Sequence, residues 1–254
     1  MKIQLPPPPY SYKGFSCFVR KNNPAFTLAE VLITLTIIGV IAALTVPNLI
    51  NKVQDHGYRS AFLKNYALLQ NAYAKSIRDG IPFWTGESDR TLTQPYRDDP
   101  SLLKDYFRIV RNTRYEGGLG FLAFSDIYTG SRSGKGSINI NSYVKNLNGE
   151  NTSFLDDSSG LGIKLEDGTI IVFYDTYNAS RHIFIDVNGA AKPNVIGRDI
   201  YFAQVILNSS TSLYQIYPYG YGRTGSCYKD STGMSCAYEI VKNKSYVIPD
   251  KAPN

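Results

Sequence analysis

The chain has 254 residues, 43% of them hydrophobic, and a net charge of +6 at neutral pH, enough for one sizeable core once an apolar N-terminal segment is set aside. Four of those six net charges come from Lys2, Lys13, Arg20 and Lys21 in residues 1–25, which hold no acid. The remainder is left with +2, and a general nucleic-acid-binding reading loses most of its support.

Residues 1–25 form a basic leader with four consecutive prolines, Pro6 to Pro9. It is not a secretory signal peptide, which carries its apolar core ahead of the cleavage point; here the apolar run follows. Gly14-Phe15-Ser16-Cys17 is a poor lipoprotein site for the same reason. Residues 26–46 are 21 residues with one ionisable side chain, Glu30, and about 20 apolar residues cross a bilayer as a helix. Arg20 and Lys21 before the span predict a cytoplasmic N-terminus with the rest of the chain outside. An acid inside a spanning segment is costly and usually functional; the alternative is that Glu30 lies at the interface and snorkels to water. Pro47 then interrupts the run and loosens the preceding turn. Leu49, Val53, Phe62, Leu63, Tyr66, Leu69, Tyr73 and Ile77 continue at helical spacing, and Asp79-Gly80-Ile81-Pro82 is a stop signal. The expectation is one helix over 26–79, about 80 Å long at 1.5 Å per residue, half in lipid and half amphipathic. That is the form of a subunit that packs with copies of itself.

Ala25-Phe26-Thr27-Leu28-Ala29-Glu30 and the apolar run behind it resemble the N-terminus of type IV prepilins and of type II secretion pseudopilins. The resemblance implies that a prepilin peptidase cuts between Ala25 and Phe26 and methylates the new amino group of Phe26. It implies that Glu30 is the family's assembly acid, and that Gly39 and Pro47 are its helix-loosening residues. Ala25 stands where the family usually has glycine, Ala29 is smaller than the usual branched residue, and the leader is longer than most. The implied fold is α+β: a long N-terminal helix, membrane-spanning in its first half, packed on a C-terminal antiparallel β-sheet head. The implied parts are a leader (1–25), a transmembrane and assembly helix (26–47), an amphipathic continuation (48–79) and a head (80–254). A free amine at Phe26 is the natural counter-charge for Glu30, within one subunit or between neighbours in a filament.

In the head, residues 101–111 have a helical pattern behind Pro100, with Lys104, Arg108 and Arg111 on one face and Arg114 close by. Such a stripe reads as a DNA contact, as in uptake pilins, or as a solvated face, and the second is the commoner case. From residue 162 the pattern turns to β. Segments 162–165 and 169–174 flank the hairpin turn Glu166-Asp167-Gly168, followed by strands over 181–187 and 199–207. Asp186, Asn188, Asn194 and Asp199 offer oxygens in the region where major pseudopilins bind calcium, but Asp and Asn also form turns. No metal and no cofactor is assigned.

Cys17 falls in the leader. Cys227 and Cys236, in a Gly/Ser-rich stretch beyond the membrane, read as a disulfide, the alternative being two thiols in a reducing cytoplasm. Without nearby histidines they do not make a zinc site. His56 and His182 have no spaced acid or cysteine partner. Residues 220–225 spell G-x-G-x-x-G without a helix after them, and 130–137 lack phosphate-loop spacing. No enzymatic constellation emerges. The expected function is a structural subunit of a type IV pilus or a type II secretion pseudopilus. It would be polymerised from the bacterial inner membrane by an assembly platform, with its head periplasmic or extracellular. The alternative is a minor tip pilin whose head binds DNA, a surface or a secreted substrate.

Overall fold

A computed structural model describes residues 26–84, 92–112, 126–129, 140–153, 155, 160–174, 182–221 and 227–251. The chain falls into two compact units, Met1–Leu49 and Ile50–Asn254. The first helix, α1, is Leu28–Arg78, with Pro47 inside it.

In the first unit the helical residues are exposed on nearly every side, Leu44 at 69% and Ile38 at 61%. Their polar neighbours are satisfied locally. Thr34, Thr36 and Thr45 donate to the carbonyls of Val31, Leu32 and Ile41 at 2.7–2.9 Å, so no hydroxyl on these turns needs water. An all-round apolar helix with its backbone and hydroxyls paired is suited to lipid or to the centre of a bundle.

In the second unit α1 becomes one-sided. Phe62, Asn65, Tyr66, Leu69, Ala72, Tyr73 and Ser76 are buried at intervals of three and four, one stripe of a helix. That stripe lies on an antiparallel sheet of six strands: β1 (Ile109–Asn112), β2 (Gly160–Leu165), β3 (Ile170–Tyr174), β4 (His182–Asp186), β5 (Ile200–Asn208) and β6 (Leu213–Pro218). Spatial order follows chain order, with every neighbouring pair antiparallel. The period of two sorts the strands. Ile163, Ile171, Phe173, Ile183, Ile185, Tyr201 and Ala203 face α1. Ile170, Val172, Phe184, Ile200 and Phe202 face the other way, against Ile127 and Tyr128 of α3 (Asp126–Thr129) and Ile140 of α4 (Ile140–Tyr143). The short helix α2 (Gln94–Asp98) precedes α3 in the chain. The head is therefore helix, sheet and a thin outer layer, an α+β pilin-like architecture as expected.

Specific contacts fix α1 on the sheet. Lys64 Nζ meets Asp167 in the β2–β3 turn at 2.8 Å, Asn65 Nδ2 donates to Thr169 Oγ1 at 3.0 Å, and Tyr66 donates its hydroxyl proton to the Ile216 carbonyl at 2.9 Å. Phe62 stacks on Tyr201 with centroids 4.3 Å apart.

Three local expectations change. Residues 101–111 are not a helix: a 3-10 turn, Pro100–Asp105, gives way to strand β1. Ile109 and Val110 are β-branched, and pairing with β2 outweighs the weak helical period. Lys104 and Arg108 therefore share no helical face, and Arg108 leans toward Glu166 at 3.7 Å. The Arg111 side chain, Arg114, and residues 130–137 and 222–225 lie outside the described residues. Strand β6 and the helix α5 (Cys236–Lys242) were not anticipated in a Tyr/Gly- and Ser-rich stretch.

Candidate assembly site at the start of the first helix

The first turn of α1 is closed by its own side chains. Glu30 Oε2 accepts both the Thr27 amide N–H and the Thr27 hydroxyl, each at 2.8 Å, and the Glu30 amide donates back to Thr27 Oγ1 at 3.2 Å. Thr27 stands one residue before the helix and Glu30 is its third residue, the reciprocal arrangement of a capping box. It satisfies donors that a helix start otherwise leaves orphaned, and it puts the carboxylate at the positive end of the helix dipole. Phe26 lies just outside this turn and is 85% exposed. Ala25, on the other side of the expected cut, is outside the described residues. Gly39 has nothing within 4 Å of the Cβ it lacks, so nothing inside the chain demands glycine there. Beside Pro47, Asn48 Nδ2 donates to the Leu44 carbonyl at 3.2 Å.

Toward the C-terminus of the chain, Cys227 and Cys236 form a disulfide, and both residues are fully buried. The loop it closes is pinned from several sides. Leu147 and Asn148 donate their amides to the Thr232 and Ser231 carbonyls at 3.2 and 3.1 Å. Tyr246 donates its hydroxyl proton to the Cys227 carbonyl at 2.6 Å, and the Lys229 amide reaches the Pro249 carbonyl at 2.9 Å. Gly197, at φ +85°, leaves room for the bridge: a Cβ there would stand 2.9 Å from Cys236 Sγ and from the Gly233 carbonyl.

Residues 20–46 match the family described as the prokaryotic N-terminal methylation motif. The chain's N-terminal segment is therefore similar to that of prepilins. Comparisons with curated proteins and with solved structures gave no match. The family match covers residues 20–46, while the pilin-like architecture of the head rests on one long helix over an antiparallel sheet.

In the oxygen-rich loop of the head the two carboxylates are bonded within the fold, while the buried Asn188 Oδ1 has no hydrogen-bond partner among the described residues. Asp199 accepts the amides of Asn194 and Val195 at 2.8 and 2.7 Å through its two oxygens. Asp186 accepts the Asn188 amide at 3.2 Å and the Tyr128 hydroxyl at 3.0 Å. All four carboxylate oxygens thus hold the loop's backbone or α3, the turn chemistry that Asp commonly supplies. Among the described residues no group of three Asp, Glu, His or Cys stands together. Both carboxyls are buried. Burial, reinforced by the charge of Asp199, pushes Asp186 well above the usual carboxylate range. Burial also raises Asp199, against the downward pull of its backbone donors. His182 packs edge-on against Tyr219 with centroids 4.9 Å apart, and burial lowers its pKa; the His56 carbonyl accepts the Ser60 hydroxyl in α1. The sequence reading named Glu30 but not Thr27, although Thr-x-x-Glu ahead of an apolar run was a visible capping signal.

Proposed function

We propose that this chain is a structural subunit of a type IV pilus or a type II secretion pseudopilus. Prepilin peptidase cuts it between Ala25 and Phe26 and methylates the Phe26 amine. Residues 26–47 anchor it in the inner membrane and then enter a filament core, 48–79 carry the anchor into the head, and 80–254 are the head. Partners are other copies or related pilins, the peptidase and the inner-membrane assembly platform; the work is structural, not enzymatic. The observation that carries this reading is a methylation motif on the first part of α1, an apolar run of spanning length over residues 26–46, exposed on nearly every side, with Glu30 as its one ionisable side chain. In a filament, helices of neighbouring copies cover that surface. Glu30 meets the methylated amine of an adjacent Phe26, which sets the axial register.

The test is expression of the full chain with its peptidase and assembly machinery. Intact-mass analysis should find a chain that starts at Phe26 and carries one methyl group. Glu30→Ala should be cut and inserted normally yet give almost no sheared filaments. Wild-type yields from that variant would remove the pairing role.

A further inference from the structure

From residue 50 to residue 61 α1 has no buried side chain; the first is Phe62. The face of α1 that meets the sheet nevertheless extends back through Arg59, Tyr58 and Asp55, all half-buried, since 55, 58, 59 and 62 fall on one side of a helix. From Phe62 onward that face is held by apolar burial. Before Phe62, Tyr58 and Ala61 only touch the edge of the core, and the specific partners are polar. Arg198 Nε meets Asp55 Oδ1 at 2.6 Å, and a terminal nitrogen of Arg198 lies 3.5 Å from Asn51 Oδ1. Arg59 donates to the Tyr246 carbonyl in the C-terminal tail. Arg198 is itself held in place: its carbonyl accepts the Tyr201 hydroxyl, and the Asp199 carboxylate closes the turn by accepting the Asn194 and Val195 amides. We propose that residues 50–61 are a releasable section of α1, latched to the head by Arg198 and the C-terminal tail, so that the helix parts from the head as far as Phe62 while the head stays folded.

The two kinds of contact differ in strength. The Arg198 and Asp55 side chains are 28% and 42% exposed, so water and salt screen their attraction, and water replaces it when they separate. Lifting Phe62 away would instead expose a fully buried ring stacked on Tyr201. Opening therefore stops at Phe62, and it is a local event well below the free energy of unfolding the head. Once parted, the section has no packing, and a short helix without packing frays. Pro47 loosens the helix just before it, and the latch keeps the turns that follow aligned with the sheet. The use of such a section rests on the assembly reading above: a subunit that passes from lipid into a filament changes the direction of its anchor without unfolding its head.

The experiment is amide hydrogen exchange, read by mass spectrometry on the full chain in detergent micelles at about 0.05 M and about 1 M NaCl, salts that differ several-fold in screening length. In wild type, peptides within 50–61 should exchange faster than those within 62–78, and faster again in high salt. Arg198→Met keeps an unbranched stem without the charge. It should speed exchange in 50–61 by about fivefold, the effect of one part-buried ion pair. Residues 62–78, the sheet and the urea midpoint should not change. Arg59→Met should act in the same region by releasing the tail carbonyl. Exchanging the charges, Asp55→Arg with Arg198→Asp, should restore wild-type protection, which separates the pairing from damage to the 194–199 turn. Uniform exchange over 50–78 in wild type at both salts would overturn the proposal, and so would an acceleration by Arg198→Met that spreads past Phe62. None of these measurements involves a filament. Failure of the peptidase to cut at Ala25–Phe26 would overturn the assembly reading and leave the latch standing.

Discussion

At the scale of single residues, the two notable acids sit in opposite circumstances. Glu30 is exposed in the lone chain, and in the proposed filament it would meet a partner. Asp186 is fully enclosed by the head and has no route to a partner. Its raised pKa has a stability consequence with a definite sign. The folded head holds the Asp186 proton more tightly than the unfolded chain does, where a carboxyl titrates near about 3.9. Its contribution is complete below that value and is lost progressively as pH rises toward the folded-state value. Asp199 shifts in the same direction and His182 in the opposite one, losing stability as pH falls through its lowered pKa. Asp186→Asn isolates the first effect, because asparagine keeps the shape and never ionises. In thermal melts of residues 50–254, the variant should gain on wild type as pH rises from about 4 to 8. Parallel melting curves across that range would remove the ionisation argument.

At the scale of elements, legibility followed the strength of the local signal. The apolar run and Thr-x-x-Glu are dense in information, and α1 ends at Arg78, just before the Asp79-Gly80 stop. The β2–β3 hairpin was readable because Glu166-Asp167-Gly168 supplies the positive φ at Gly168 that its turn needs. Strand β6 was not, because Tyr214, Gln215 and Tyr217 are strand-compatible only beside β5, and no local pattern announces that neighbour. Helix α5 is seven residues long and owes its place to Ala237 and Ile240 in the core, a tertiary cause. The burial stripe on α1 gives the sharpest energetic expectation. Phe62 is fully buried between Tyr66 and Tyr201. Phe62→Ala should cost about 3–5 kcal/mol in urea unfolding of the head. Val53, on the same helix, is 64% exposed, and Val53→Ala should stay within about 0.5 kcal/mol of wild type. Equal losses from the two would mean that the stripe is misassigned.

At the scale of the whole molecule, cohesion comes from two different devices. The six-strand ladder and the α1 stripe make a core that depends on no covalent bond. The region 227–251 adds the Cys227–Cys236 bridge to the core packing of Ala237 and Ile240. It is short of regular structure, and its ties to the 147–148 turn, to Gly197 and to its own tail all converge on the loop that the bridge closes. Cross-linking a loop of this size restrains the unfolded chain by about 2–3 kcal/mol. Replacing both cysteines by alanine should therefore lower head stability by at least that amount and open the segment to proteolysis, with early cuts between 227 and 251. The sheet should remain, since no strand includes a cysteine. Cleavage at Ala25–Phe26 and methylation should be unaffected, because the methylation motif ends at residue 46 and includes neither cysteine. Filaments of the variant would then form from a normal anchor carrying a head that proteases trim. If limited proteolysis and urea midpoints matched wild type, the bridge would be redundant with the hydrogen bonds around it. If the sheet itself unfolded, the disulfide would be part of the core rather than a clamp on its edge.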